Sequence, residues 1–388
     1  MKPLRIAGLA ALLALALCAP AAAKDPGRWT LSGWSSVPTL YWQGVTSAGQ
    51  SAPLYFSGPV KGLYRTGLSL RETAATPSAI PASVEAVEGY NHVGDISFDR
   101  RDGGRVLLPL ECYTPGGPNG GNTCGSGAIA AADPGTLAFR YYVKLDPAEI
   151  AKAMWVEASA DGLLWTSSGN DLLAYRAEDV SSANAAPAAP PIHSVRRLAG
   201  AVPPSGVTGA AFKGGRLFLA GAQGTTYQVW SVNLATGTRR LELELKGVEG
   251  EAEGLHVTPL LGGTLHFLVA PLAAKPTFGP SVGLLHFTPA GRPGLRVSAS
   301  ATRRGTHRPR VRIRVTRRGR PVVGAKVSIA GARARTNAKG ATTLWPALDA
   351  PGSFAAVGRM SGLEGHSRFL ALGPAPAASA AAGSAPLR

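Results

Sequence analysis

Between about residues 28 and 290 one local phrase returns: a short apolar strand, a tight glycine turn and a second apolar strand. One copy is Gly94-Asp95-Ile96-Ser97-Phe98, then Asp102-Gly103-Gly104, then Val106-Leu107-Leu108. Further copies open at Trp155, Thr208 and Glu253, with turns at Asp161-Gly162, Gly214-Gly215 and Gly262-Gly263, and a fainter one opens at Gln43-Gly44-Val45. Asp-Gly and Gly-Gly between apolar runs are hairpin turns, because the turn that suits strand twist needs positive φ at its centre. More strand-like pieces follow each hairpin, such as Tyr227–Val232, so each unit holds three or four strands in roughly 45–60 residues, the arithmetic of a propeller blade. The expectation is an all-β chain with a five-bladed β-propeller over residues 28–290. Six blades is the alternative, because the first copy is faint and the segment from Ser181 to Gly206 has room for strands. A sandwich or barrel explains the turns but leaves the recurrence accidental.

From Gly294 the composition changes. Of 40 Lys and Arg, 18 fall in residues 292–388, against only Asp349 and Glu364 of the 23 acids, so this quarter carries +16 of the net +17. A basic pI therefore describes one end of the chain and is no argument for a nucleic-acid binder. Arg310-Val311-Arg312-Ile313-Arg314-Val315 alternates strictly, one face apolar and one cationic. The run Gly319–Ile329 followed by Thr336-Asn337-Ala338-Lys339-Gly340-Ala341-Thr342-Thr343-Leu344 resembles carboxypeptidase-regulatory-like and bacterial Ig-like domains. That resemblance implies a small β-sandwich over residues 294–373, usually a spacer or adhesion module. Residues 374–388 are Ala-, Ser- and Pro-rich and read as a disordered tail.

The start of the chain, with Lys2 and Arg5, an apolar run from Ile6 to Leu17 and Ala21-Ala22-Ala23, has the order of a secretory signal peptide over residues 1–23. Leu17 directly before Cys18 is a poor fit to a lipoprotein signal. No segment has the ~20 apolar residues of a transmembrane helix. Removing the signal leaves Cys112 and Cys124, an even pair in an exported chain and so most simply a disulfide. The expected location is secreted or associated with the cell envelope.

The innermost strands of a propeller converge on one axis, which would bring together Gln43, Asp95, Glu157 and Glu253. Three carboxylates at one end of a channel repel unless a cation sits between them or some are protonated. Oxygen ligands point to Ca²⁺ before Zn²⁺, and Asp95, Glu157 and Glu253 are the expected metal ligands. The alternative is that each acid is hydrogen-bonded to neighbouring backbone or hydrated. Blade grammar and Glu253-Gly254 resemble secreted propellers of the SMP-30/gluconolactonase, phytase-like and calcium-dependent nucleotidase groups, which implies inner-strand acids holding calcium. Asn91, His92 and Glu111 are further candidates for ligand or base. His256, His266 and His286 share the last unit, although their spacing fits no helical metal motif. Trp29, Trp34, Tyr41 and Trp42 read either as a sugar-stacking surface or, more simply, as core between blades. Gly116–Gly121 lies between the cysteines and opens no helix, so it reads as a surface loop rather than a phosphate cradle. No HExxH, GxSxG or P-loop pattern occurs.

Arg303, Arg304, Arg310, Arg312, Arg314, Arg317 and Arg318 form the candidate anionic-surface site, read either as a polymer-binding face or as a solvated face that protects a strand edge. Sequence-specific nucleic-acid recognition is not expected. The function these residues predict is binding or scaffolding, with the propeller presenting a ligand surface and the basic domain holding it near an anionic cell-surface polymer or protein ligand. The alternative is a calcium-dependent hydrolase of phosphoesters or lactones.

Overall fold

A computed structural model describes residues 29–374 apart from 51, 59, 102, 116–120 and 271–280. The expected signal peptide, nearly all of the expected tail and most of the Gly116–Gly121 segment lie outside the described residues. Among the described residues the regular secondary structure is almost entirely β-strand, arranged in seven sheets. Each of the four stronger phrases forms an antiparallel hairpin. Gly214 and Gly215 make the turn between Gly209–Lys213 and Arg216–Gln223 with φ of 56° and 73°, as the dipeptide predicts.

Five sheets follow one another along the chain as antiparallel meanders. The first runs from Gly44–Ser47 to Glu72–Thr76, the second from His92–Val93 and Ser97–Asp99 to Phe139–Lys144. The third runs from Glu157–Ala158 to Arg196–Leu198 and the fourth from Gly209–Lys213 to Arg239–Leu245. The fifth contains Glu251–Leu260, Gly263–Ala270 and Val282–Pro289, and the strand Trp29–Val37 pairs with Val282–Pro289 from the other end of the chain. The leading strands touch in turn: Gly44–Ser47 meets Ser97–Asp99, which meets Glu157–Ala158, then Gly209–Lys213, then Glu251–Leu260, which meets Gly44–Ser47 again. The result is a closed, propeller-like ring.

Five separate apolar cores lie between neighbouring sheets, which explains the unbroken hydrophobic runs. A strand with a sheet on each side buries odd and even residues in opposite directions. Leu107 packs toward the third sheet while Val106 and Leu108 pack toward the first. Phe267 and Leu285 face the fourth sheet, whereas Leu268 and Leu284 face the first. Two features fall outside the repeat: the short helix Ala82–Glu88, which ends on Gly89 in the left-handed region, and the Cys112–Cys124 disulfide, with Cα atoms 5.0 Å apart.

The basic segment builds two sheets. One contains Arg296–Thr302, Arg310–Arg317, Arg320–Pro321 and Ala341–Leu344, the other Arg292–Pro293, Lys326–Ile329, Ala332–Arg335, Val357–Met360 and Leu363–His366. They share a core that includes Val311, Ile313, Val315, Val327, Ile329 and Phe354. This unit is stitched to the ring, because Gly352–Phe354 pairs with Trp29–Val37 and carries Leu370–Leu372, extending the fifth sheet to six strands. A Cβ on Gly33 would come within 2.6 Å of the Phe354 ring, so only glycine permits this contact.

Candidate functional site

At the middle of the ring lies Asp95, 1% exposed. Its Oδ1 accepts from the Val45 N–H at 3.0 Å, in the first sheet. Its Oδ2 accepts from Ala210 N–H at 2.9 Å, in the fourth, and from Leu255 N–H at 3.4 Å, in the fifth. Its backbone donates to Met154 O at 2.9 Å and accepts from Val156 N–H at 3.1 Å, beside the third sheet. One residue thus ties the second sheet to the other four. Each of the three amides that donate to the carboxylate is preceded by a glycine. A Cβ on Gly209 or Gly254 would stand 2.9 or 2.7 Å from the carboxylate oxygens, and one on Gly44 would stand 2.7 Å from the Asp95 Cα. The glycines let three backbones close on one carboxylate, and Gly254 of the Glu253-Gly254 pair serves this approach.

The other two predicted ligands are also buried there, each with its own surroundings. Glu157 accepts from Ser97 Oγ at 2.7 Å and Phe212 N–H at 3.1 Å, and burial pushes its pKa up to about 7 against those bonds. Burial holds Asp95 well above the usual carboxylate range, with the Ala210 and Val45 amides opposing. Glu253 is also raised, by burial first and then by the like charge of Glu251. The structure therefore brings Asp95, Glu157 and Glu253 to one region and supplies Asp95 and Glu157 with donors from neighbouring sheets. Among the described residues, ligand atoms of three metal-binding side chains come within 4.8 Å of one another at Asp146, Glu149 and His193, a group the sequence reading did not single out. Those atoms also have partners: Asp146 holds His193 at 2.9 Å, and Glu149 accepts from Ser194 N–H, Ser194 Oγ and Tyr175 OH.

The three histidines of the fifth sheet stand side by side on neighbouring strands. His256 Nε2 meets Ser47 Oγ at 2.8 Å, and His266 Nδ1 meets His286 Nδ1 at 2.9 Å. His266 Nε2 lies 2.6 Å from the Thr258 carbonyl, which can only accept. That fixes the protons: His266 donates through Nε2, His286 must donate from Nδ1 to His266, and Ser35 Oγ donates to His286 Nε2 at 2.9 Å. Burial lowers His266 to about 4 and His256 to about 3. The His286 ring stacks on Phe354 of the basic unit at 5.9 Å, so this chain is a structural joint.

His92 and Glu111 are cross-strand partners with 3.6 Å between Nε2 and Oε1. Burial lowers the His92 pKa to about 4 and raises that of Glu111. Asn91 is a local clamp, accepting from Tyr113 N–H at 2.7 Å and donating to Tyr113 O at 3.0 Å. The early aromatics form no open sugar platform: Tyr41 stacks on Phe56 and donates to Glu72, and Trp29 packs edge-on against Phe218.

The arginines present the opposite picture. Arg310, Arg312 and Arg314 project from one face of Arg310–Arg317, and Arg303-Arg304 and Arg317-Arg318 sit at the turns at its two ends, all seven exposed. Ser300 and Thr343 flank Arg312, and Ser298 and Ala341 flank Arg314. The two acids of this region are taken, Asp349 by His307 and Glu364 by Arg359 and His366. Among the described residues none of the seven arginines has an ion-pair partner. A groove of about 520 Å³ runs along this face, with Arg312, Arg314, Arg335 and Asn337 among its walls.

No family model matches the chain, and no curated protein matches it. Among solved structures it is similar to an aldose sugar dehydrogenase of Escherichia coli at 11% identity and a TM-score of 0.42, covering 67% of this chain and 100% of that one. A glucose dehydrogenase of Thermus thermophilus gives 12% identity, a TM-score of 0.42 and coverage of 66% and 100%. A gluconolactonase of Xanthomonas campestris gives 12%, 0.37, and coverage of 65% and 88%. Likeness at this level carries neither activity nor cofactor to this chain.

Proposed function

We propose that this is an exported binding or scaffolding protein, a five-bladed propeller whose basic Ig-like sandwich tethers it to an anionic polymer of the cell envelope or extracellular space. The observation that carries the reading is the exposed arginine face, which has no ion-pair partner among the described residues. Surface cations usually have acids among their neighbours, and a single-sign field is a means of attracting the opposite charge. The disulfide fits an oxidising compartment. No helix among the described residues is long and apolar enough to cross a membrane.

The alternative, a calcium-dependent hydrolase at the ring centre, has weaker support, because two of its three acids already serve as acceptors for neighbouring sheets. Two measurements separate the readings. On a phosphate-bearing matrix at low salt, the whole protein should be retained and Arg310→Ser/Arg312→Ser/Arg314→Ser should elute early. Equal retention of the two proteins would overturn the tether. Melting temperature should be the same in calcium and in EDTA, and a calcium-dependent rise abolished by Glu253→Gln would favour the hydrolase.

A further inference from the structure

Of the seven tryptophans, Trp345 alone is exposed, at 56%. Its position follows from strand register. Thr343 lies opposite Arg312 and Leu344 opposite Val311. Trp345, one residue on, continues the alternation: Leu344 is buried, Trp345 exposed and Pro346 buried again. It therefore falls on the face of Thr343, next in line to Arg310. Among the described residues its indole has no hydrogen-bond, ring or cation partner, although an aromatic of this size is normally covered.

We infer that the arginine face with Trp345 is a carbohydrate site for a linear acidic polysaccharide, the indole stacking on the apolar face of one sugar ring while Arg312 and Arg314 take carboxylates of neighbouring sugars. The inference rests on the tether reading and specifies its ligand. Three features of the face argue for it together. Same-face residues on a strand recur about every 7 Å, so Arg310, Arg312 and Arg314 form a regular row of cations, which suits a polymer with an anion on each repeating unit. The groove beside that row is walled by Ser298, Ser300, Asn337 and Thr343, whose hydroxyl and amide groups match a ligand rich in hydroxyls. At the end of the row stands one flat, apolar, uncovered ring.

Other polyanions fit less well. Single-stranded nucleic acid is held by successive aromatics on which successive bases stack, and this face has one. A membrane-inserting surface gathers several large apolar side chains around its aromatic, whereas the residues in register on this face are Arg310, Arg312 and Arg314 with Ser298, Ser300, Ala341 and Thr343.

The test compares the full-length protein with Trp345→Ala and with Arg312→Ser/Arg314→Ser on three probes: polygalacturonate, inorganic polyphosphate and anionic phosphatidylglycerol vesicles. Trp345→Ala should bind polygalacturonate about tenfold more weakly, the size of one aromatic contact, with its polyphosphate affinity unchanged. Arg312→Ser/Arg314→Ser should weaken both. Wild-type binding to polygalacturonate that survives Trp345→Ala overturns the carbohydrate site and leaves the tether intact. Equal weakening on polygalacturonate and polyphosphate also overturns it, since the tryptophan would then act by holding the arginines. Wild-type binding to vesicles but not to polygalacturonate replaces the sugar by a lipid surface. Binding to none of the three removes the tether reading itself.

Discussion

The ring centre and the arginine face both gather ionisable groups of one sign, and they are treated in opposite ways. At the centre, Asp95 and Glu157 are buried and engaged by amides and a hydroxyl from neighbouring sheets. On the basic unit, Arg310, Arg312 and Arg314 are exposed and, among the described residues, have no ion-pair partner. An ionisable group that is buried and hydrogen-bonded is committed to architecture, because removing it leaves buried partners unsatisfied. Charge left exposed and unpaired contributes little to the fold and remains available to a ligand.

The comparison breaks most visibly at Asp95. Asp95→Ala leaves the amides of Val45, Ala210 and Leu255 without their acceptor at the junction of all five sheets. A loss of about 3–9 kcal/mol, about 1–3 for each of the three stranded amides, is expected in urea unfolding followed by circular dichroism. Stability within ~0.5 kcal/mol of wild type would show that the ring does not depend on its centre. Next in size is Asp99→Ala. Arg105 is 3% exposed and donates to Asp99 Oδ2 at 2.9 and 2.7 Å, to Tyr141 OH at 2.6 Å and to Ala177 O at 2.7 Å. Removing the carboxylate strands a buried guanidinium, and a cost of about 3–5 kcal/mol should appear in the same assay.

A smaller effect follows from pH. His92 and His266 have folded-state pKa values near 4, below the ordinary 6.5. The unfolded chain therefore binds protons first, and the stability these residues hold above pH 6.5 is lost as pH falls toward 4. Glu157 acts in the other direction, since its folded-state value near 7 favours the folded protein as pH falls from 7 to 4.5. Glu157→Gln should steepen the acid-side fall in melting temperature, and a shallower fall would contradict the assignment. The smallest effect on stability belongs to Arg310→Ser/Arg312→Ser/Arg314→Ser, which should unfold within about 0.5 kcal/mol of wild type while its binding falls.

The hairpins were legible in the sequence because their signal is local: two glycines between apolar runs admit the positive φ that a tight turn requires. The arginine face was legible for the same reason, since alternation needs only neighbouring residues. For Asp95 only the kind of role was legible, bonding to neighbouring backbone being one of two readings; its amide partners were not, because they lie 50, 115 and 160 residues away. A trace of them was present, in that Gly44, Gly209 and Gly254 each precede a donor amide at the opening of a repeat. The seam at Trp29–Val37 was hidden in the same way, since it joins the first described strand to Val282–Pro289 and to Gly352–Phe354. That seam also bears on experiment, because truncation at residue 294 would strip Gly352–Phe354 from the ring, so point substitutions are the cleaner probe of the basic unit. Trp345 was missed because it lies one residue beyond the strand that orients it.

The most direct test of this division of charge is the salt dependence of polygalacturonate binding by wild type and Arg310→Ser/Arg312→Ser/Arg314→Ser, measured on samples of matched melting temperature. The account predicts that log K falls with log salt for wild type and that the slope of the variant is shallower by roughly one unit per arginine in contact with the polymer. An unchanged slope with unchanged affinity would show that the exposed arginines are solvated surface only, and the tether would have to be abandoned.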